Sequence, residues 1–379
     1  MRSRFLPYGI HNIDDRDISE VEAVLKSDWI TTGPKVGEFE KAISEKTGSK
    51  FCTAVNSGTS ALDIAVASLQ LPPGSEIITT PLTFVASSNC ILYNNCVPVF
   101  ADIDPETYNI SPSEIEKKIT PRTRAIIYVD YAGQPCDIDA IREIADRHGL
   151  KTIEDACHAL GAQYHGTPVG SMADMTVFSF HPVKHITTGE GGAVTTNSQD
   201  LDSRLKMLRN HGMDKSVHER FGKNAGYAYD IKMLGRNYRI TDMQCALGLS
   251  QLRRLDNFIS RRSEISGIYC REFSGNREIT TPFVREDVKH AWHLFTILLD
   301  RKIERDSFFS RMRQMNIGVN VHYIPIYRFT LYSSMNINPR EFPVTEDVFN
   351  RIVSLPLFPS MTDQDAYDVI EAAKKCIGM

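Results

Sequence analysis

The stretch Met175-Thr176-Val177-Phe178-Ser179-Phe180-His181-Pro182-Val183-Lys184 places a lysine just beyond a short strand, which we predict over Met175 to Phe180. Pro182 and the run Thr187-Thr188-Gly189-Glu190-Gly191-Gly192 predict an irregular loop that fixes the direction of the lysine side chain. Most lysines are solvated surface charges. A lysine can form an imine with a carbonyl when burial or nearby cations lower its pKa. Lys184 is therefore a candidate nucleophile, with a plain surface charge as the alternative.

Strands and helices alternate around this stretch, between about residues 50 and 200. The predicted strands are Phe51 to Val55, Glu76 to Thr79, Val97 to Ala101, Ala125 to Asp130, Lys151 to Glu154, Met175 to Phe180 and Ala193 to Thr196. The predicted helices are Thr59 to Leu69, Val85 to Tyr93, Ser113 to Ile119 and Ile138 to Arg147. Such alternation predicts an α/β fold with a doubly wound, mostly parallel sheet whose two faces are covered by helices.

The pattern changes near residue 250. Long charged helices are predicted over Gln251 to Phe273, followed by scattered strands such as Leu294 to Leu299. We therefore expect a large domain over residues 14–250 and a smaller C-terminal α/β domain over 251–379, with residues 1–13 packed against the smaller one.

Composition excludes several classes of protein. The 379 residues exceed one ordinary domain, and a 42% apolar and 24% charged composition is that of a soluble globular protein. A net charge of −4 without a long basic run argues against nucleic acid or a membrane as partner. Eight dispersed cysteines without a C-x-x-C pair indicate free thiols. Because no signal-peptide or membrane-spanning pattern is present, we expect a cytoplasmic protein.

Two further groups follow predicted strands, where open α/β sheets bind their ligands. Asn56-Ser57-Gly58-Thr59-Ser60 joins a strand to a helix, so its backbone amides and the helix dipole favour a phosphate there. A plain helix cap with a glycine turn is the alternative. Asp155 follows the strand ending at Glu154, and its carboxylate could hold a protonated ring nitrogen, although it could equally cap the next turn.

An anion cradle, a carboxylate and a lysine at three strand ends suit a phosphorylated aldehyde cofactor. The sequence contains neither a P-loop nor a complete G-x-G-x-x-G, which argues against nucleotide-cofactor enzymes of those types. Since no H-E-x-x-H and no closely spaced His/Cys set is present, we expect no metal site.

Seven segments spread over nearly the whole chain carry a family resemblance. They are Trp29-Ile30-Thr31-Thr32-Gly33-Pro34, Asn56 to Leu62, Thr83-Phe84-Val85-Ala86, Glu154-Asp155-Ala156-Cys157-His158-Ala159, Ser179 to Lys184, Gly191-Gly192-Ala193 and Gly235-Arg236-Asn237-Tyr238-Arg239. In this order they resemble the DegT/DnrJ/EryC1/StrS family of sugar aminotransferases, which are enzymes of fold type I dependent on pyridoxal 5′-phosphate (PLP). The resemblance implies the same fold and cofactor for this chain.

The resemblance also implies roles around the cofactor ring. Lys184 would carry PLP as a Schiff base and then move protons, and Asp155 would pair with the pyridinium nitrogen. Phe84 would stack on the ring, with a core phenylalanine as the alternative. His158 would support the ring or its hydroxyl, unless it is a structural histidine.

The phosphate is expected to be held from two subunits. By resemblance, Gly58, Thr59 and Ser179 would bind it within one chain. Asn237 would reach the phosphate of the neighbouring subunit, which would make a homodimer the catalytic unit. A helix cap before a helix over Thr241 to Leu252 is the alternative for Asn237.

Within the family the sequence is most similar to the UDP-4-amino-4,6-dideoxy-N-acetyl-β-L-altrosamine transaminases of pseudaminic acid biosynthesis. The similarity lies in Val129-Asp130-Tyr131-Ala132-Gly133, in His181-Pro182-Val183-Lys184, in Thr187 to Gly192 and in His322-Tyr323-Ile324-Pro325-Ile326-Tyr327. It implies transfer of an amino group from L-glutamate to C4 of a UDP-linked 4-keto-6-deoxy-N-acetyl hexose. The residues expected to contact the substrate are Thr32, His181, His322 and Tyr323.

Three alternatives stay open from the sequence. An aminotransferase for another nucleotide keto-sugar, of the GDP-perosamine or dTDP-amino-sugar type, shares most of these segments. A PLP-dependent sugar dehydratase or epimerase is disfavoured by Lys184, because some family members that deoxygenate sugars carry histidine at this position. A non-catalytic regulator on the same fold is disfavoured because both Lys184 and Asp155 are present.

Overall fold

The computed structural model describes residues 2–214 and 228–378, and a seven-stranded sheet forms the centre of its first part. The strands are β1 (Phe51–Val55), β2 (Glu76–Thr79), β3 (Val97–Phe100), β4 (Thr123–Val129), β5 (Lys151–Asp155), β8 (Met175–Ser179) and β9 (Gly192–Thr196). They are arranged in the order β1-β9-β8-β5-β4-β2-β3. Only β9 runs antiparallel to its two neighbours, while the other pairs in this sheet are parallel. The prediction of a mostly parallel sheet is therefore confirmed.

Helices cover both faces of this sheet. They are α1 (Asp15–Leu25), α2 (Pro34–Thr47), α3 (Gly58–Ser68), α4 (Ala86–Tyr93), α5 (Pro112–Lys117), α6 (Ile138–His148), α7 (Gln199–Arg209) and α8 (Asp242–Leu252). One apolar core lies between the sheet and α3, α4 and α7. A second core lies between the sheet and helices α2 and α8, and a third lies between the sheet and helices α5 and α6. The strands are buried on both sides for this reason, as their apolar sequences predict.

Local signals set several of these boundaries. Gly149 adopts φ +65° directly after α6, so it ends that helix with a left-handed cap. Thr241 caps α8 and forms a capping box with Gln244, so the helix predicted over Thr241 to Leu252 is confirmed and Asn237 is not its cap.

The C-terminal part contains a second, antiparallel sheet in the order β10-β12-β13. Its elements are α9 (Leu255–Glu272), β10 (Ile279–Thr280), β12 (Phe295–Leu299), α10 (Arg305–Gln314), α11 (Pro343–Arg351), β13 (Ile352–Leu355) and α12 (Asp363–Cys376). Short 3₁₀ turns lie at Tyr131–Gly133, Ile326–Arg328, Thr330–Met335 and Pro339–Glu341. A small third sheet joins β11 (Val288–Lys289) to β6 (Gln163–Tyr164) and β7 (Thr167–Pro168).

The stretch predicted to form charged helices, Gln251 to Phe273, contains the end of one helix and nearly the whole of the next. Helix α8 ends at Leu252 and α9 begins at Leu255. The start of α9 contributes Leu255 to the core under the large sheet, whereas Tyr269 near its end belongs to the C-terminal core. Because one helix contributes to both cores, the boundary at residues 250 and 251 stays a prediction. Leu6 is buried in the C-terminal core and forms a parallel bridge with Ile317.

Among residues 2–214 and 228–378, no helix combines the length and the apolar character that a membrane crossing requires.

Candidate active site

A cleft of about 500 Å³ lies beyond the carboxyl ends of β1, β4, β5 and β8. That is the position at which open α/β sheets bind ligands, and its size is typical of a small-molecule site. The structure brings ten of the predicted site residues to its walls: Gly58, Thr59, Phe84, Asp155, His158, Ser179, His181, Lys184, His322 and Tyr323. The three strand-end groups recognised in the sequence therefore share one cavity.

Lys184 lies in the loop that follows β8. The Phe180 N–H donates to the Gly191 carbonyl at 2.8 Å and closes the base of that loop, and the Lys184 N–H donates to the His181 carbonyl at 2.9 Å. Burial lowers the pKa of the Lys184 amine, while the nearby Cys157 and Asp155 act in the opposite direction. Because a lower pKa increases the share of neutral amine, the loop makes Lys184 a better nucleophile than a surface lysine.

Asp155 is the last residue of β5, and its carboxylate has a fixed orientation. Ser87 donates its hydroxyl proton to Oδ2 at 2.7 Å, and the Cys157 N–H donates to Oδ1 at 3.2 Å. The side chain is buried, and none of the lysines and arginines that the structure describes forms an ion pair with it. A buried carboxylate without a cationic partner is suited to a protonated ring nitrogen of a ligand.

The start of α3 forms the anion cradle. Ser57 caps the helix by accepting from the Ser60 N–H at 3.0 Å, which leaves the N–H groups of Gly58 and Thr59 at the open helix end. A Cβ at Gly58 would lie 2.9 Å from Cβ of Ser179, so only glycine lets the helix start approach the end of β8 this closely. Backbone donors and the helix dipole favour a phosphate at this point.

Aromatic and imidazole rings form the opposite wall. Phe84 is 57% exposed although it is apolar, and its ring centroid lies 6.3 Å from that of Tyr323. The Tyr323 hydroxyl lies 3.0 Å from Nε2 of His158, and the His158 ring packs 4.4 Å from the ring of His293. Burial lowers the pKa of His158 well below its ordinary value, so the ring is neutral. An exposed phenylalanine in a cleft offers an apolar face for a flat ligand.

The residues expected to contact the substrate fall into two groups. His181 is exposed at the cleft, whereas His322 is buried and its Nδ1 lies 2.7 Å from the Ser354 hydroxyl. Burial lowers the pKa of His322 to about 3. Thr32 and Asn237 do not line the cleft of their own chain. Asn237 is exposed and forms a bridge with Asn210.

The cleft also contains residues that the sequence reasoning missed. Ser87 lies in the first turn of α4, with its hydroxyl 3.0 Å from that of Thr83, and no local pattern in the sequence marks it. Tyr8 comes from the N-terminal segment and lies with its ring centroid 5.5 Å from that of His322. His293 precedes β12 of the C-terminal sheet. No local pattern marks Tyr8 or His293, because both reach the cleft from distant parts of the chain.

The groups in this cleft fit PLP. The open end of α3 suits its phosphate, Asp155 suits its ring nitrogen, and Lys184 supplies the amine that its aldehyde requires. The buried Nδ1 of His158 has no partner among the described residues, so one polar atom in this wall is left for a ligand.

Comparisons with known proteins agree with this assignment. The spore coat polysaccharide biosynthesis protein SpsC of Bacillus subtilis is 41% identical over 99% of this chain and 98% of its own. PseC of Helicobacter pylori, an aminotransferase involved in pseudaminic acid biosynthesis, is 34% identical with a TM-score of 0.93, covering 98% of this chain and 99% of PseC. Spr1654 of Streptococcus pneumoniae is 30% identical over 98% of both chains, with TM-scores of 0.92 for its PLP form and 0.93 for its PMP (pyridoxamine phosphate) form.

The sequence profile of the DegT/DnrJ/EryC1/StrS aminotransferase family matches residues 11–374, which is nearly the whole chain. The fold, the cleft at the strand ends and these similarities lead to one assignment. The chain belongs to the DegT/DnrJ/EryC1/StrS family of PLP-dependent sugar aminotransferases.

Proposed function

We propose that this enzyme transfers an amino group from L-glutamate to C4 of a UDP-linked 4-keto-6-deoxy-N-acetyl hexose, in a pathway of the pseudaminic acid type. The observation that carries the reaction class is the shared cleft of Lys184 and Asp155 beside the open start of α3. The similarity to PseC, described as an aminotransferase of pseudaminic acid biosynthesis, supports the choice of sugar. So does the similarity to SpsC, whose name refers to polysaccharide biosynthesis.

The residues that would hold the cofactor surround the cleft on three sides. Gly58, Thr59 and Ser179 would bind its phosphate, Asp155 its ring nitrogen and Phe84 one face of its ring. When bound, PLP accepts the amino group from one substrate and passes it to the next. The carboxylate of Asp155 keeps the ring nitrogen protonated, because a buried negative charge stabilises a neighbouring cation.

Lys184 would act twice in the reaction. Its Nζ takes the proton from Cα of glutamate and later delivers a proton to C4 of the sugar, so the amine must be neutral at one step and protonated at the next. A pKa lowered by burial serves both, because general acid–base catalysis is most efficient when the pKa is close to the working pH. The hydrogen bond between the Phe180 N–H and the Gly191 carbonyl closes the loop that carries this amine and would limit its movement.

Substrate contacts are proposed on the outer side of the cleft. His181 is exposed there, and no side-chain hydrogen bond within the described ranges occupies its ring. His322 is less available to a substrate, because its Nδ1 is already hydrogen-bonded to the Ser354 hydroxyl. Thr32 is half-buried outside the cleft of its own chain, so we propose that it acts from a neighbouring subunit.

A homodimer is part of the proposal. Asn237 is exposed and does not line its own cleft, as expected for a residue that reaches a partner's phosphate. Leu234, three residues before it, is 84% exposed, and Ile231 is 51% exposed. A subunit interface at this segment would bury these exposed apolar side chains. We also propose a cytoplasmic location, which all eight cysteines, present as free thiols, support.

The first experiment is an absorbance spectrum of the purified protein with PLP, before and after L-glutamate. We expect a yellow band that bleaches as PLP becomes PMP. The protein in its PMP form is then offered UDP-, GDP- and dTDP-linked 4-keto-6-deoxy sugars, with ¹⁵N-labelled glutamate as donor and mass spectrometry of the products. Label in the UDP-linked N-acetyl sugar supports the proposal, whereas efficient labelling of only a GDP- or dTDP-sugar assigns the alternative substrate. A protein whose yellow band glutamate leaves unchanged requires another donor.

A further inference from the structure

The hydrogen bond between Tyr323 and His158 joins two distant parts of the chain. His158 follows β5 of the large sheet, while Tyr323 follows Asn320, which pairs with Ser354 of β13. The hydroxyl of Tyr323 lies 3.0 Å from Nε2 of His158, and the two rings are nearly parallel at 18° with centroids 6.0 Å apart. Both residues line the cleft, so this contact forms part of its wall.

The protons of this pair can be counted. Burial keeps the His158 ring neutral by lowering its pKa, so the ring carries one proton, and burial keeps Tyr323 protonated by raising the pKa of its hydroxyl. Two protons are therefore available, and only one can lie between the hydroxyl and Nε2. The other belongs either to Nδ1 of His158 or to the Tyr323 oxygen, and in either case it needs an acceptor.

Nδ1 of His158 is the atom without a partner. It is buried, and no acceptor or donor within residues 2–214 and 228–378 contacts it. The ring that packs on His158 is His293, whose own Nδ1 is also buried without a partner, so the neighbouring imidazole does not meet the need. A buried donor without an acceptor destabilises the protein, and a ligand with an acceptor oxygen would remove that cost.

We infer that Tyr323 is a positioning residue for the cofactor: its hydroxyl donates to Nε2 of His158 and thereby holds the His158 proton on Nδ1, where the N–H serves the ring oxygen of PLP. An anionic ring oxygen favours this arrangement over its reverse, because it accepts from the N–H, whereas a lone pair on Nδ1 would repel it. The inference rests on the PLP dependence of the family and not on the identity of the sugar. In this inference the Tyr323 hydroxyl binds His158, whereas the sequence analysis expected it to contact the substrate.

The first test is Tyr323→Phe, with PLP titrated into the apoprotein. Phenylalanine keeps the ring and its packing, so near-ultraviolet circular dichroism should match that of the unchanged protein. We expect the Kd for PLP to rise about tenfold, the value of one hydrogen bond of about 1.4 kcal/mol. The KM for the keto-sugar should stay within about twofold while kcat falls. Tyr332→Phe is the matched control, because its hydroxyl donates to Asn89 away from the cleft at 2.8 Å; it should leave the Kd unchanged.

A pair of substitutions at His158 tests the choice of nitrogen. The amide of His158→Asn places an N–H near the position of Nδ1, whereas that of His158→Gln places its polar group near Nε2 and leaves Nδ1 unreplaced. We expect His158→Asn to keep most of the affinity for PLP and His158→Gln to lose about tenfold. Adding Tyr323→Phe to His158→Asn should then have no further effect, since the donor no longer depends on the tautomer.

Two outcomes would overturn the inference. If Tyr323→Phe leaves the Kd for PLP unchanged and raises the KM for the sugar, with or without His158→Asn, the hydroxyl binds substrate. If Tyr323→Phe weakens PLP binding equally in both backgrounds, it acts independently of His158. Neither result depends on which nucleotide sugar is the substrate, so a failure of the proposed substrate is distinguishable from a failure of this inference.

Discussion

Ser87 donates its hydroxyl proton to Oδ2 of Asp155 at 2.7 Å, and the same hydroxyl lies 3.0 Å from that of Thr83. The first turn of α4 thus holds a carboxylate at the end of β5, and both residues line the cleft. With the Cys157 N–H on the other oxygen, the carboxylate cannot rotate freely. A fixed carboxylate keeps its charge directed at one point, which is the requirement for holding a ring nitrogen.

Ser87→Ala should weaken both cofactor binding and turnover. A hydrogen bond to a charged group contributes about 1.5–3 kcal/mol, so we expect a loss of roughly tenfold or more in the Kd for PLP or in kcat. Ser68→Ala is a control of the same size, because Ser68 is buried and donates to the Ala65 carbonyl away from the cleft. If both variants bind PLP and turn over like the unchanged protein, the Ser87 contact has no part in the site.

Lys184→Ala should abolish turnover while leaving the fold intact. We expect a fall in rate of about 10³-fold or more, because the variant loses both the covalent attachment and the group that moves protons. Borohydride reduction followed by mass spectrometry of the peptides locates the attachment: the cofactor mass should appear on the peptide that contains Lys184 and be absent from the variant. Lys50→Ala, at an exposed position, is the control. Cofactor mass on another lysine would contradict the assignment.

Gly58→Ala should act on the phosphate of the cofactor. The new Cβ would lie 2.9 Å from Cβ and 3.1 Å from Oγ of Ser179, so the helix start and the end of β8 must move apart. We expect the Kd for PLP to rise about tenfold or more and that for pyridoxal, which has no phosphate, to change much less. Gly37→Ala is the matched control, because a Cβ there meets nothing within 4 Å. Equal losses for PLP and pyridoxal would mean that the cradle does not bind phosphate.

The sequence predicts the meeting of Asp155 and Lys184 because parallel strands end at one edge of a sheet. Asp155 pairs with Val177 of the neighbouring strand β8, so residues just beyond the two strands must lie side by side. The same reasoning brings the start of α3 to that edge, since β1 also runs parallel to β8 through the intervening β9. The alternation of strands and helices in the sequence implies parallel strands. The meeting of these residues at one edge of the sheet could therefore be derived from the sequence.

The remainder of the site depends on how the C-terminal part packs on the large sheet. Tyr323 and His293 reach the cleft through the β10-β12-β13 sheet, and Tyr8 reaches it through the bridge of Leu6 to Ile317. No periodicity in the sequence encodes that packing. The family resemblance pointed to Tyr323, but only the structure shows that its hydroxyl already contacts His158.

A buried pair of carboxyl groups, Asp130 and Glu154, should make stability depend on pH. Thr176 donates to Oε2 of Glu154 at 2.7 Å, and the Cys136 N–H donates to Oδ1 of Asp130 at 3.0 Å. The second oxygen of each carboxyl is buried and has no donor in the rest of the described chain. Two such oxygens can satisfy each other only by sharing a proton, which we expect here because Glu154 raises the pKa of Asp130.

Burial raises the pKa of Glu154 from 4.5 to about 7, and burial together with Glu154 raises the pKa of Asp130. Between pH 4.5 and 7 the folded protein therefore holds a proton that the unfolded chain has lost. This contribution to stability is complete below the lower pKa and disappears as the pH rises through 7. In Glu154→Gln the glutamine can accept from Thr176 and donate to Asp130 without a shared proton. The free energy of unfolding of this variant, relative to that of the unchanged protein, should therefore rise by up to roughly 3 kcal/mol between pH 5 and pH 8. Thermal midpoints at four pH values check this, with the exposed Glu143→Gln as control; parallel curves for all three proteins would show that the carboxyls share no proton.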